Sequence, residues 1–169
     1  EKMRILFIAN GSTSRRGLPG ISGGDIRWIE IAKNWSKKHK IHILSTKPGI
    51  DLCKKFNLKG EYHTLRSPSI SSYLTYIIRF INSKYFLPSS ILKYCNFDII
   101  YTTTEHYYDV FPAQEINKKN KHAKWAAVAH WVAPIIRKNK ILPSLLFYLQ
   151  QRIGYNRIKK YADIILAVS

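Results

Sequence analysis

Short apolar runs alternate with stretches in which apolar residues return every third or fourth position, and the alternation continues along most of the chain. Residues 3–9 are almost wholly apolar, as a parallel strand covered on both faces requires. A polar, glycine-rich stretch follows from Asn10 to Gly24, and then Ile26, Trp28, Ile29, Ala32 and Trp35 recur at helical spacing. Asp25 is the expected N-cap of that helix, and Lys37-Lys38 suits its C-terminal end, where the helix dipole favours cations. Residues 40–46 read as a second strand, Lys47-Pro48-Gly49 as a turn, and residues 61–65 as a third strand. Beyond Ser67-Pro68-Ser69 a helical pattern carries Tyr73, Leu74, Tyr76, Ile77, Ile78, Phe80 and Ile81, stops near Pro88 and resumes as far as Cys95. A fourth strand at 97–101, a helix at 108–120 and a fifth strand at 124–129 follow. A long helix at 142–161, with Leu145, Leu146, Leu149, Ile153 and Ile158 on its apolar side, leads into a sixth strand at 162–168.

Strands and helices in this order predict an α/β fold, a Rossmann-like doubly wound parallel sheet with helices on both faces. Such sheets keep their ligands at the carboxyl ends of the strands. That rule singles out the glycine loop after the first strand, Glu105 and His106 after the fourth, and His130 after the fifth. A chain of 169 residues buries roughly 70% of its unfolded surface as one compact domain, so residues 1–169 are read as a single domain. A strand as apolar as 162–168 normally feeds a further covering element, and the chain is expected to be part of something larger.

Charge narrows the partners. Lys and Arg number 28 against 10 acidic residues, a net +18, which favours anionic company: nucleic acid, an anionic membrane surface or a phosphorylated substrate. Cys53 and Cys95 show neither metal-ligand spacing nor the density of a disulfide scaffold and read as reduced thiols of a cytoplasmic protein. No window is long and apolar enough to span a bilayer. Segments 73–94 and 138–160 interleave aromatic and aliphatic residues with Lys and Arg, a pattern compatible with peripheral attachment at the inner face of an anionic membrane. The same apolar stripes are also what a sheet needs to be covered.

The chemistry-bearing residues exclude some nucleotide folds. The loop lacks both Gly-x-Gly-x-x-Gly and Gly-x-x-x-x-Gly-Lys-Ser/Thr, so dinucleotide oxidoreductases and P-loop NTPases lose support. What remains is Ser22-Gly23-Gly24-Asp25 at the start of a helix, whose free amides make an anion pocket. Arg15 and Arg16 in the loop could bind phosphate or an anionic acceptor. Asp109 reads as structural. No His/Asp/Glu group has ligand-like spacing along the chain, so no metal and no other cofactor is expected.

Taken together, several segments resemble the N-terminal, acceptor-side domain of a GT-B glycosyltransferase of the family 4-like (group 1) retaining type. They are Met3-Arg4-Ile5-Leu6-Phe7-Ile8, Gly23-Gly24-Asp25 with Glu30 and Ala32 behind it, His39-Lys40-Ile41-His42-Ile43-Leu44-Ser45-Thr46, Phe97-Asp98-Ile99-Ile100-Tyr101, Ala129-His130, and Tyr161-Ala162-Asp163-Ile164-Ile165-Leu166-Ala167-Val168-Ser169. The resemblance spans nearly the whole chain, and the order of its pieces carries it. It implies one half of a GT-B architecture, with a nucleotide-sugar donor and a glycan, lipid or small-molecule acceptor. Gly23 and Gly24 would lie against the donor phosphates and His130 would approach the transferred sugar as the catalytic residue. Glu105 and His106, with Arg15 and Arg16, would meet the acceptor. The C-terminal, donor-binding domain and its paired glutamates have no counterpart here, so the isolated chain is expected to be inactive.

Two competing readings follow from the charge. One is a basic, non-catalytic nucleic-acid-binding domain, favoured by +18 and 13% aromatic residues; zinc-finger spacing and an RNP-like run are both missing, so no specific nucleic acid is expected. The other is a membrane-recruited subunit of a split transferase.

Overall fold

The structure, a computed structural model, describes residues 2–11, 14–15, 18–19, 22–67, 73–93, 96–130 and 141–168, with backbone alone for 14–15, 18–19, 73–76 and 141–144. In chain order its elements are β1 (Arg4–Ala9), β2 (Ser14–Arg15), β3 (Leu18–Pro19), α1 (Gly23–Ser36), β4 (Lys40–Ser45), α2 (Lys47–Lys55) and β5 (Glu61–Thr64). There follow α3 (Tyr73–Tyr85), α4 (Ser89–Lys93), β6 (Ile99–Thr102), α5 (Tyr107–Lys119), β7 (Lys124–Ala129), α6 (Ile141–Tyr161) and β8 (Ile164–Ala167). Six strands form one sheet in the order β5-β4-β1-β6-β7-β8, every pair parallel, and β2 pairs antiparallel with β3 within the glycine loop. This is an α/β Rossmann-like fold, as the pattern predicts. Strand order reverses between β1 and β6, so the crevice at their carboxyl ends is the place for a ligand.

The two-residue period of β1 divides the core. Ile5, Phe7 and Ala9 face a cluster with Trp28, Ile29 and Ala32 of α1 and Leu52 and Cys53 of α2. Leu6 and Ile8 face the opposite cluster, with Ile91 of α4, Val110, Ala113 and Ile116 of α5, and Ile158 of α6. Phe7 stacks on Trp28 at 6.1 Å and tilts against Trp35 and Tyr101, ring pairs worth about 0.5–1.5 kcal/mol each beyond their burial. Cys53 lies in this core as a free thiol, and burial pushes it up to about 12, which makes it inert.

Aspartates set the start of two strands by the same device. Asp98 Oδ2 accepts the Arg4 N–H at 2.7 Å, and Asp163 Oδ2 accepts the Trp125 N–H at 2.8 Å, each reaching the first turn of pairing on the neighbouring strand. The Trp125 amide holds the Asp163 carboxyl below its ordinary range. These are the aspartates of the Phe97-Asp98 and Ala162-Asp163 segments, and their role is to fix register.

Several elements differ from the sequence expectation. The N-cap of α1 is Ser22, with Asp25 at the third helical position; each side chain accepts the other's backbone N–H, at 3.2 and 2.9 Å, in a capping box. Lys47-Pro48-Gly49 is the first turn of α2, where proline needs no hydrogen-bonded N–H, and Ile50, Leu52 and Cys53 give that helix its buried side. Strand β8 is exposed along its whole length rather than buried. Helix α6 turns Leu145, Leu149 and Ile153 outward and packs Gln150, Gln151, Gly154 and Ile158 inward, reversing the expected placement of three of its leucine and isoleucine positions.

Candidate active site

Three strand ends and two helices converge at the reversal of strand order. On the β1 side, Asn10 leaves the strand and its N–H donates to Asp109 Oδ1 at 2.7 Å, while its amide Nδ2 donates to the Tyr108 carbonyl at 2.8 Å. Thr104 and Thr103 donate to Asp109 Oδ2 at 2.7 and 3.3 Å. Asp109 therefore ties the turn after β1 to the turn after β6, the structural role read from the sequence. Burial raises its carboxyl to about 7 against the pull of these three donors.

Glu105, next along this turn, is 1% exposed. Its Oε2 accepts the backbone N–H of His130 at 3.0 Å and meets the His130 ring at Nδ1 at 2.9 Å, and its Oε1 accepts Gln151 Nε2 of α6 at 2.6 Å. Burial alone would raise this carboxyl, but the hydrogen bonds from His130 and Gln151, with the nearby His106, outweigh it and hold Glu105 near 2. A carboxylate that stays ionised accepts only, so His130 carries its proton on Nδ1. The other ring nitrogen, Nε2, lies 3.0 Å from an Arg27 guanidinium nitrogen, which can only donate. The imidazole is thus neutral, its orientation and tautomer fixed by Glu105 on one side and Arg27 on the other. Tyr155 donates to the His130 carbonyl and secures the backbone as well.

Helix α6 closes over this turn with no room to spare. A Cβ on Gly154 would lie 1.6 Å from the Glu105 carbonyl oxygen, so glycine is what permits the approach. His106 is 7% exposed, stacks against Tyr108 at 5.2 Å and Phe147 at 4.7 Å, and sits 3.9 Å from Glu105 through Nε2. Burial lowers its basicity.

The glycine pair is where the sequence places it. Gly23 and Gly24 are the first two residues of α1, and neither adopts a left-handed backbone. A Cβ on Gly23 would meet open space; one on Gly24 would lie 3.8 Å from His130 Nε2. The capping box engages the amides of Ser22 and Asp25, and the two glycines between them lie in the first turn of α1, the positive end of the helix dipole.

Of the site residues expected from sequence, the structure gathers Gly24, Glu105, His106 and His130 within one cluster, with Gly23 at its open edge. The backbone of Arg15 lies in β2, while its side chain and all of Arg16 fall outside the described residues. Arg27, Gln151, Gly154 and Tyr155 were not anticipated. A cation in the first turns of a helix, against the dipole, was one available signal for Arg27; an isolated glycine inside a helical pattern was another, for Gly154.

No family model and no curated protein sequence matches the chain. Among solved structures, the chain is similar to Anabaena Alr3699/HepE in complex with UDP and glucose, with a TM-score of 0.58 at 15% identity over 96% of this chain and 37% of that one. The same protein in complex with UDP-glucose gives a TM-score of 0.59 at 14% identity, over 96% and 36%. The glycotransferase of kitacinnamycin gives 0.52 at 12% identity, over 95% and 39%. These likenesses show a fold shared with glycosyltransferase structures. The chain spans little more than a third of the length of each of these neighbours.

Proposed function

We propose that this chain is the acceptor-side half of a GT-B glycosyltransferase, one that moves a sugar from a nucleotide-sugar donor to a glycan, lipid or small-molecule acceptor with retention of configuration. The observation that carries the reading is the chain of contacts from Glu105 through His130 to Arg27, set beside Gly24 at the reversal of strand order. Binding of UDP and UDP-glucose by the HepE structures is consistent with such a donor.

Loss of a nucleoside diphosphate puts negative charge on the leaving oxygen, and donors already aimed at that charge lower the barrier. In this reading the Gly23 and Gly24 amides and the Arg27 guanidinium supply them. When Arg27 turns to the phosphate, His130 Nε2 is left as a lone pair able to accept a hydrogen bond from a hydroxyl of the transferred sugar. His130 is then the catalytic residue and Glu105 a positioning residue, because both carboxylate oxygens are already engaged and shielded from solvent. His106 and the arginines Arg15 and Arg16 remain the candidates for the acceptor. No metal is invoked at this site, and a second Rossmann-like domain supplies the rest of the donor pocket.

The test is sugar transfer, or donor hydrolysis, by the polypeptide that carries both domains. His130→Ala is expected to lower turnover about a hundredfold, the scale of losing one preorganised contact at the reacting centre, and the isolated chain is expected to show no transfer. Unchanged turnover in the variant overturns the assignment of His130.

A lipid acceptor, or an enzyme held at a membrane, is favoured by two exposed apolar rows. Ile77, Ile81 and Tyr85 stand one helical turn apart on α3, and Leu145, Leu149 and Ile153 do so on α6. No helix among the described residues is long and apolar enough to cross a membrane. Rows of this kind, on a chain of net +18, suit the headgroup region of an anionic bilayer.

A further inference from the structure

At the edge of the sheet remote from His130, parallel pairing of β4 with β5 brings His42 of one strand together with Glu61 and His63 of the other. Register sets His42 beside Glu61 and Leu44 beside His63. Because side chains alternate between faces, His42, Glu61 and His63 all project from the same one. His42 Nδ1 lies 3.2 Å from His63 Nε2 and 3.4 Å from Glu61 Oε2. We propose that His42, Glu61 and His63 form a binding site for a divalent transition-metal ion of the zinc type, which clamps edge strand β5 to β4.

The separations carry the argument. Metal–nitrogen distances in zinc sites are about 2.0–2.1 Å, so ligand atoms of a tetrahedral site stand about 3.3 Å apart. Both measured edges fall at that value, and the ligand atoms of all three residues lie within 4.8 Å of one another. Hydrogen bonding alone accounts for the arrangement poorly. His42 Nδ1 carries at most one hydrogen, yet it faces an imidazole nitrogen and a carboxylate oxygen at nearly equal distance. A cation among three lone pairs satisfies all of them.

The surroundings are built as metal sites are. His63 makes its other ring contact, through Nδ1, with Ser90 Oγ at the start of α4 at 3.0 Å, the outer hydrogen bond that fixes the tautomer of a ligating histidine. The His42 ring packs edge-on against Phe97 at 5.2 Å, so the base of the site is apolar. Lys40 holds Glu61 through Oε1 at 2.8 Å and leaves Oε2 directed at His42. The histidines are buried and the Glu61 side chain is 40% exposed, which gives a path from solvent and room for a water as fourth ligand. Two imidazoles and one carboxylate select zinc or cobalt over magnesium or calcium, which prefer oxygen throughout. Glu61 and His63 are only two residues apart, but the third ligand, His42, comes from the neighbouring strand, and it is strand pairing rather than spacing along the chain that brings it to them.

Metal-stripped protein titrated with Co²⁺, followed by displacement with Zn²⁺, tests the site. The expected result is a saturable visible absorption typical of low-coordinate cobalt bound by nitrogen, lost on adding zinc, together with a zinc-dependent rise in melting temperature. Glu61→Gln and His63→Gln are each expected to weaken binding at least tenfold and to abolish the thermal shift, whereas His122→Gln, at an exposed histidine elsewhere, leaves both intact. Glu61 is half-exposed, so its variant keeps the fold and decides the matter even where His63→Gln does not fold. No cobalt absorption, or binding and thermal shift unchanged in Glu61→Gln, overturns the proposal.

Discussion

One oxygen of Glu105, Oε2, holds His130 twice, through the ring nitrogen Nδ1 at 2.9 Å and the backbone N–H at 3.0 Å. The carboxylate therefore fixes the position of the residue and the tautomer of its ring in a single contact. Glu105→Gln keeps the shape but sets an N–H₂ group against donors on one side or the other. A buried donor left unsatisfied costs about 1–3 kcal/mol. The variant is expected to lose stability on that scale in urea denaturation, and its His130 ring to sample both tautomers by nitrogen NMR.

Acid unfolding carries the same signature. Glu105 is held near 2 against an ordinary 4.5, so its contribution is fully present above about 4.5 and disappears as pH falls through about 2. Stability of the wild type is expected to drop across that window. Glu105→Gln, less stable at neutral pH, is expected to vary less over the same range when urea midpoints are compared.

Asp109 has the opposite sign. Its folded carboxyl is raised to about 7 from 3.8, so the folded state holds a proton that the unfolded state has lost, and stability falls as pH rises from about 4 through 7. Asp109→Asn keeps an acceptor for the Asn10 N–H and can donate to the oxygens of Thr103 and Thr104. Its stability is expected to be flat over that interval, and to gain on the wild type toward pH 8.

Gly154→Ala is expected to be severe, because the new Cβ would fall 1.6 Å from a backbone oxygen that cannot swing aside. Overpacking of this kind costs about 1–3 kcal/mol or more. A lowered denaturation midpoint with altered His130 ring signals is the expected readout; a loss of stability that leaves those signals in place would show that α6 relaxes without moving the turn.

Vesicle flotation separates a membrane role from simple covering of the sheet. Binding to vesicles containing anionic lipid is expected to weaken with salt and to fall in the double variant Ile77→Ser, Ile81→Ser. Equal binding to neutral vesicles would remove the electrostatic part of the reading.

Elements encoded by local periodicity were legible in the sequence. The apolar run of β1 and the strand 124–129 match the structure within a residue, since a strand buried on both faces has few alternatives. Errors fall where two signals share the same residues. Pro48 and Gly49 serve a turn or a first helical turn equally well, and only the burial of Ile50, Leu52 and Cys53 decides between them. Ser22 and Asp25 both favour helix starts, and the capping box uses both. At the site, Glu105 and His130 could be picked out because strand ends are defined by the strands themselves. Arg27 carried only the weak signal of a cation near a helix start, and Gln151 none, because their partners lie 103 and 46 residues away in sequence.

The crossing of α6 has a mechanical consequence. Gln151 grips Glu105, Gly154 lies against the Glu105 backbone and Tyr155 grips the His130 carbonyl, while Leu149 and Ile153 of the same turns face outward. The helix turns one side to the carboxylate and imidazole and carries an exposed greasy row along its back. The turns that display that row to solvent are the ones that hold the carboxylate and the imidazole in place, so one stretch of helix serves surface and site at once.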